Sequence, residues 1–136
     1  MNEVREMTIQ IANNSSEKCV VEIAKSEPWK VALSHSSLGR LEFEADNLCK
    51  ALVCLRYSLE EKECKLLCNG SRKDVIVSGM SRQMGGGRKA YVVRLGCQAL
   101  KEDMVDIFDY AEPQYVGTVS QQKEFYNEWV LSLGNE

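Results

Sequence analysis

Four runs in the first 45 residues, MTIQIA, CVVEIA, WKVAL and LEFEA, place apolar side chains at a period of two and are divided by NNSS, SEP and SHSSLG. Alternate side chains of a strand point to opposite faces, so Val, Ile, Phe and Trp at that period read as half-buried strands joined by turns. CVVEIA also fits a turn of helix. Pro28 marks an edge or a strand entry, because it has no N–H to donate to a ladder.

From Asp46 the period changes to that of a helix. Leu48, Leu52, Leu55 and Leu59 recur at spacings of four, three and four, which predicts an amphipathic helix over about 46–61, with Asp46 capping the first turn and Arg56 and Glu60 on the wet side. CKLLC and DVIV follow, separated by Asn69-Gly70, a dipeptide that signals a hairpin; the SRK after it lengthens the turn. AYVVRL and MVDIF read as further strands. Thr118 and Gln121 fit a capping box, and Val119, Phe125, Trp129 and Leu133, with Tyr126 and Val130 beside them, predict a second helix over about 118–133 that ends at Gly134. Its aromatic stripe is expected to be core. Strands, a helix, more strands and a terminal helix predict an α+β fold, a largely antiparallel sheet packed by two amphipathic helices. At 136 residues and 44% hydrophobic content the expectation is one domain over 1–136. Regular βαβ alternation is missing, which argues against a doubly wound nucleotide fold.

Several chemistries are poorly equipped. The single histidine, His35, lies in the polar turn signal SHSS and reads as exposed, so multi-histidine metal sites are excluded and at most one histidine-based triad is possible. The chain has no GxSxG elbow and no HExxH helix. Cys49 and Cys54, and Cys64 and Cys68, lack CxxC spacing, and the six cysteines read as buried, reduced small hydrophobes. Glu42 and Glu44 alternate with Leu41 and Phe43, as the wet face of a strand does. The start MNEVREMTIQ lacks the apolar run of a signal peptide, and no window approaches a membrane span, so a cytosolic location is expected. No cofactor is expected.

The segment GMSRQMGGGRKAYVVR raises the question of an anion site. It fails the Walker A pattern, because five residues separate Gly79 from Gly85, Arg88 follows the glycines, Ala90 replaces the hydroxyl, and the next element reads as a strand. Contiguous glycines can still aim successive amides at an anion, which makes Arg82, Gly85, Gly86, Gly87, Arg88 and Lys89 candidate anion-binding residues. The alternative is a loop whose bases pair with the acidic C-terminal third. Residues 70–94 hold six bases against one acid, whereas residues 101–136 hold two lysines against eight acids, in a chain of net charge −3. A sequence pI of about 5.3, with Tyr91 as the one aromatic in the basic segment, makes nucleic-acid binding a weak expectation.

ALKEDMVDIFDYAEPQY interleaves acids with aromatics, the composition that steers toward a basic protein surface and then holds it. Glu102, Asp103, Asp106, Asp109, Tyr110, Glu112 and Tyr115 are the candidate partner-binding residues, with Phe108 as a further anchor if it is not core. CNGSRKDVIVSGMSRQMGGGRKAYVVRLG is reminiscent of small bacterial proteins. A short, acidic, α+β chain with no catalytic set resembles the immunity proteins of bacterial contact-dependent growth inhibition toxin systems. Those proteins share no motif, so the resemblance assigns no residue. It implies a cognate toxin domain, often a basic nuclease, as partner, with its active site covered and acids standing in for substrate phosphates.

Overall fold

The computed structural model describes residues 2–78 and 85–134. The N-terminal third forms β1 (Asn2–Gln10), β2 (Ser16–Ala24), β3 (Trp29–His35) and β4 (Gly39–Ala45), and the next element is α1 (Leu48–Glu61). β5 (Lys65–Leu66), β6 (Val75–Ile76), β7 (Lys89–Val92), β8 (Met104–Asp106) and α2 (Val119–Leu133) complete the order, with single 3-10 turns at Asn69–Ser71, Lys101–Asp103 and Pro113–Tyr115. All the pairings are antiparallel. β4-β3-β2-β1-β5 make a five-stranded sheet and β6-β7-β8 a three-stranded one. The α+β expectation is met, and CVVEIA lies within β2. Pro28, whose peptide bond with Glu27 is cis, sits at the entry to β3.

Alternation decides which sheet face is covered. Met7, Ile9, Val21, Ile23, Val31 and Leu33 all point inward and are buried, as are Leu48, Leu52, Leu55 and Leu59 of α1. Each fully buried leucine of that stripe contributes roughly 1.5–3 kcal/mol of transfer free energy, set against the entropy of ordering it. The opposite sheet face is wet and carries a ladder in which Arg40 pairs with Glu22 at 3.0 Å and with Glu42 at 3.3 Å. Another cluster, Ile76, Val93 and Trp129, packs α2 onto the small sheet with Phe125 and Leu133 partly buried against it, so the stripe is core at Trp129 and half-buried at Phe125, whereas Tyr126 beside it is exposed. Thr118 and Gln121 form the capping box in both directions.

Several local expectations are corrected. Asn47, not Asp46, caps α1, its Oδ1 accepting the Lys50 N–H at 2.8 Å, because the helix begins at Leu48; the Asp46 side chain stands 91% exposed. Asn69-Gly70 does not join a hairpin. It makes a 3-10 turn whose N–H groups donate to Asp109 O at 2.8 Å and Ile107 O at 2.9 Å, while the strands on either side pair with β1 and β7. His35 is no exposed turn residue: it ends β3 on the inward register, with its side chain 3% exposed. Its Nδ1 accepts the Ser37 N–H at 3.1 Å, which leaves the proton on Nε2 to donate to Glu17 at 2.7 Å.

Arg56 and Glu60 are also not on a wet face. The start of α2 lies across that side of α1, so Arg56 is 3% exposed and Glu60 Oε2 accepts the Val119 N–H at 2.9 Å. The Arg56 guanidinium donates to Gly70 O at 2.9 Å, Gln122 Oε1 at 2.8 Å and Gly117 O at 3.2 Å. Burial pushes its pKa down, and the electrostatic effect of Cys68 and Glu60 opposes this only in part. Of the six free cysteines, Cys19, Cys64 and Cys68 are buried whereas Cys54 and Cys97 are exposed; Cys54 lies off the leucine stripe of α1 and Cys97 in a loop. Burial raises the Cys19 thiol to about 11. No helix among the described residues is long and apolar enough to cross a membrane.

Candidate partner-binding surface

The acidic segment enters the fold along β8, next to β7, and part of its charge is consumed there. Asp106 Oδ2 meets Arg88 Nε at 2.8 Å, Arg88 Nη1 meets Glu3 Oε1 at 2.8 Å, Arg5 Nη2 meets Glu3 Oε2 at 2.7 Å, and Arg5 Nη1 meets Asp109 Oδ1 at 3.1 Å. These five side chains form a chain of alternating sign that ties β1 to the small sheet and to the turn after it. Glu3 is held between two guanidinium groups, and the hydrogen bond from Arg88 is the main reason its carboxyl pKa falls from 4.5 to about 2. Asp106 also accepts the Phe108 N–H at 2.9 Å, which turns Phe108 inward; at 1% exposure it is a core residue, not an anchor. Asp106 therefore shapes the segment from inside, and Asp109 is shared between this chain and solvent.

The glycines of the basic loop have a packing task. Gly85, Gly86 and Gly87 all hold positive φ, between 58° and 84°, in the left-handed region that favours glycine. A Cβ on Gly86 would lie 2.5–2.7 Å from the Trp29 ring, and one on Gly87 would lie 3.1 Å from Asn47 Cβ. The Gly86 carbonyl accepts the Leu48 N–H, satisfying one of the orphan donors at the start of α1. Arg88 is occupied by two carboxylates, Lys89 faces solvent, and Arg82 lies outside the described residues. Among the described candidates only Lys89 presents an uncommitted charge to an anion.

A different part of the acidic third stays open. Between the Pro113–Tyr115 turn and α2 is a recess of about 460 Å³ lined by Lys73, Asp74, Tyr115, Glu124, Phe125 and Glu128 among others. Tyr115 is 43% exposed, and the Arg72 guanidinium lies 4.4 Å from its ring centroid while pairing with both oxygens of Asp74 at 2.8 Å. Glu124 and Glu128 stand one helical turn apart, exposed, and make no ion pair among the described residues. With Asp74 taken by Arg72, the two carboxylates of Glu124 and Glu128 against Lys73, beside the Tyr115 and Phe125 rings, can take a cationic side chain: the carboxylates bind its charge and the rings pack its stem.

The seven candidates read from the sequence do not converge on one patch. Tyr110, 58% exposed, borders with Asp109 a second recess of about 580 Å³ whose lining includes Arg5, Glu6 and Lys18 and is balanced in charge. Glu112 is exposed and accepts from Gln114 at 3.1 Å. Glu102 is exposed on the Lys101–Asp103 turn, where Asp103 accepts the Leu100 N–H at 3.1 Å. Glu124, Phe125 and Glu128 were not among the candidates, although the spacing of four between the two glutamates on a predicted helix places them on one face. No family model matches the chain, and no curated protein matches it.

Proposed function

We propose that the protein is a non-enzymatic cytosolic inhibitor that holds a basic protein partner, of the kind a cognate toxin domain presents, at the recess formed by Tyr115, Phe125, Glu124 and Glu128, with Glu112 beside it. The observation that carries this reading is the pair of α2 carboxylates, which make no ion pair among the described residues, in one recess with the exposed Tyr115 ring. Unpaired acids raise the encounter rate with a basic surface, and the aromatic floor supplies contact area once water leaves. An immunity protein works in this way, covering the toxin's active site. The network around Glu3 supports it indirectly by fixing the acidic segment without drawing Glu112, Glu124 or Glu128 into ion pairs.

The test is capture of the partner from the native host, followed by association kinetics with the purified partner and Glu124→Lys/Glu128→Lys. The association rate at low salt should fall about tenfold or more while the far-ultraviolet circular dichroism is unchanged. A captured partner that binds the reversed variant at the wild-type rate, or that is itself acidic, refutes the assignment. Asp106→Lys is a poor substitute, because it breaks the Arg88 pair inside the fold.

A further inference from the structure

On the other side of α2 the two helices leave a groove of about 520 Å³, within the size range of small-ligand sites. Its floor is apolar, made by Leu52 of α1, Val75 and Ile76 of β6, and Ile107. Val53 of α1 forms one wall, and Tyr126 and Asn127 of α2 form the other. Gly70 contributes no side chain, and a Cβ there would lie 2.5 Å from Leu52 Cδ2, so the turn closes the inner end without filling it. The Asn127 amide and the Tyr126 hydroxyl make no hydrogen bond among the described residues. Both side chains are exposed on the wall, with polar atoms open to an incoming ligand.

The charge of the rim is the informative part. Lys50 and Lys123 line the groove and no acid does, in a chain with 20 acids against 17 basic residues. Lys50 Nζ is 3.8 Å from an almost fully exposed Asp46 carboxylate, a contact that solvent weakens. Lys123 Nζ donates to Tyr57 OH at 3.1 Å, a neutral partner. Both ammonium groups therefore keep charge for an incoming anion, and the apolar floor excludes a small hydrophilic one. From this pairing we infer that the groove binds an anionic amphiphile, a carboxylate-headed molecule whose alkyl body lies against Val53, Val77 and the Tyr126 ring, above the buried Leu52, Ile76 and Ile107, while its head reaches Lys50 or Lys123. The site is separate from the acidic recess, so a ligand here and a protein partner there need not compete.

Isothermal titration with decanoate, decanol and decyltrimethylammonium, each kept below its micellar concentration, tests the inference. Decanoate should bind saturably and more tightly than decanol, and the cation least. Lys50→Met/Lys123→Met should weaken decanoate about tenfold or more and leave decanol unchanged, since a charge-assisted contact is worth roughly the 1.4 kcal/mol that a factor of ten represents. Val53→Trp and Asn127→Trp, on opposite walls, should each abolish binding while melting normally; if one fails to fold, the other decides. Amide shifts in labelled protein should cluster on α1 and α2 around the groove. Absence of saturable binding, equal affinity for the three head groups, or binding that survives both tryptophan variants overturns the inference, whatever the outcome with a protein partner.

Discussion

Arg56 is the side chain whose replacement should cost most for the least change in shape. It lies under the C-terminal segment at 3% exposure and joins three parts of the chain through hydrogen bonds to Gly70 O, Gln122 Oε1 and Gly117 O. Arg56→Met keeps the apolar stem and removes every donor. Gly70 O retains the Gln122 amide at 3.0 Å, whereas Gln122 Oε1 and Gly117 O are left without a partner. At about 1–3 kcal/mol for each buried acceptor left unsatisfied, the loss is about 2–6 kcal/mol. Part returns because a guanidinium with no hydrogen-bonded carboxylate no longer has to be desolvated, so the net expectation is about 2–4 kcal/mol. For a domain of this size that lowers the melting temperature by roughly 10 °C. Urea denaturation should show the midpoint fall with an unchanged slope, and hydrogen exchange should quicken first at the start of α2, where Gly117 and Gln122 lose their anchor. Arg40→Met, on the exposed sheet face, is the control and should leave the midpoint where it is. A loss below about 0.5 kcal/mol for Arg56→Met, or one without faster exchange in α2, would refute the view that this cation locks the C-terminal segment down.

Three further outcomes follow from single contacts. Glu3 has a folded-state pKa of about 2 against an ordinary 4.5, so its contribution is present above pH 4.5 and is lost as pH falls toward 2; Glu3→Gln should flatten that part of the acid-unfolding curve, and an unchanged curve would show that the pairs with Arg88 and Arg5 carry none of it. Gly86→Ala places a Cβ against the Trp29 ring at positive φ and should cost about 2 kcal/mol or more with a shifted tryptophan emission, whereas Gly85→Ala, with nothing within 4 Å, should cost about 1 kcal/mol; equal losses would remove the ring from the account. Asn47→Ala should cost about 1 kcal/mol in thermal denaturation and Asp46→Ala nothing measurable, the reverse of what the sequence suggests; a larger loss at Asp46 would reassign the cap.

What the sequence reveals divides by the range of the interaction. β1 to β4 and the two helices are legible because their apolar period is a local property: Leu48 to Leu59 state the face of α1, and Thr118 with Gln121 state where α2 begins. Arg56 shows where that logic stops. Periodicity says which face of α1 is apolar, but it cannot say that residues 117–122 will later cover part of the polar face, across more than sixty positions. Asn69-Gly70 fails for a related reason. The dipeptide does make a tight turn, yet the partners of the flanking strands are β1 and β7, chosen by distant segments. SHSS carries turn residues and so points to an exposed His35, whereas inward register at the end of β3 and the carboxylate of Glu17 decide its burial.

The charge map needs the same distinction between local and distant partners. Counted along the chain, a basic middle faces an acidic tail. In the fold Arg88 binds Asp106 and Glu3, Arg72 binds Asp74 and lies on Tyr115, and Arg5, from the first strand, binds Asp109. Opposite charges about 3 Å apart leave a dipole whose field is spent within one Debye length, about 8 Å at physiological salt. They hold the segment in place and cannot attract anything at a distance. Under the proposed function, steering falls to carboxylates with no ion pair among the described residues, so of the seven sequence candidates Asp106 and Asp109 drop out, Glu112 stays, and Glu124 and Glu128 join it. The same reasoning supports the anionic ligand proposed for the helix groove, where Lys50 meets only the exposed Asp46 carboxylate at 3.8 Å and Lys123 only the Tyr57 side chain among the described residues.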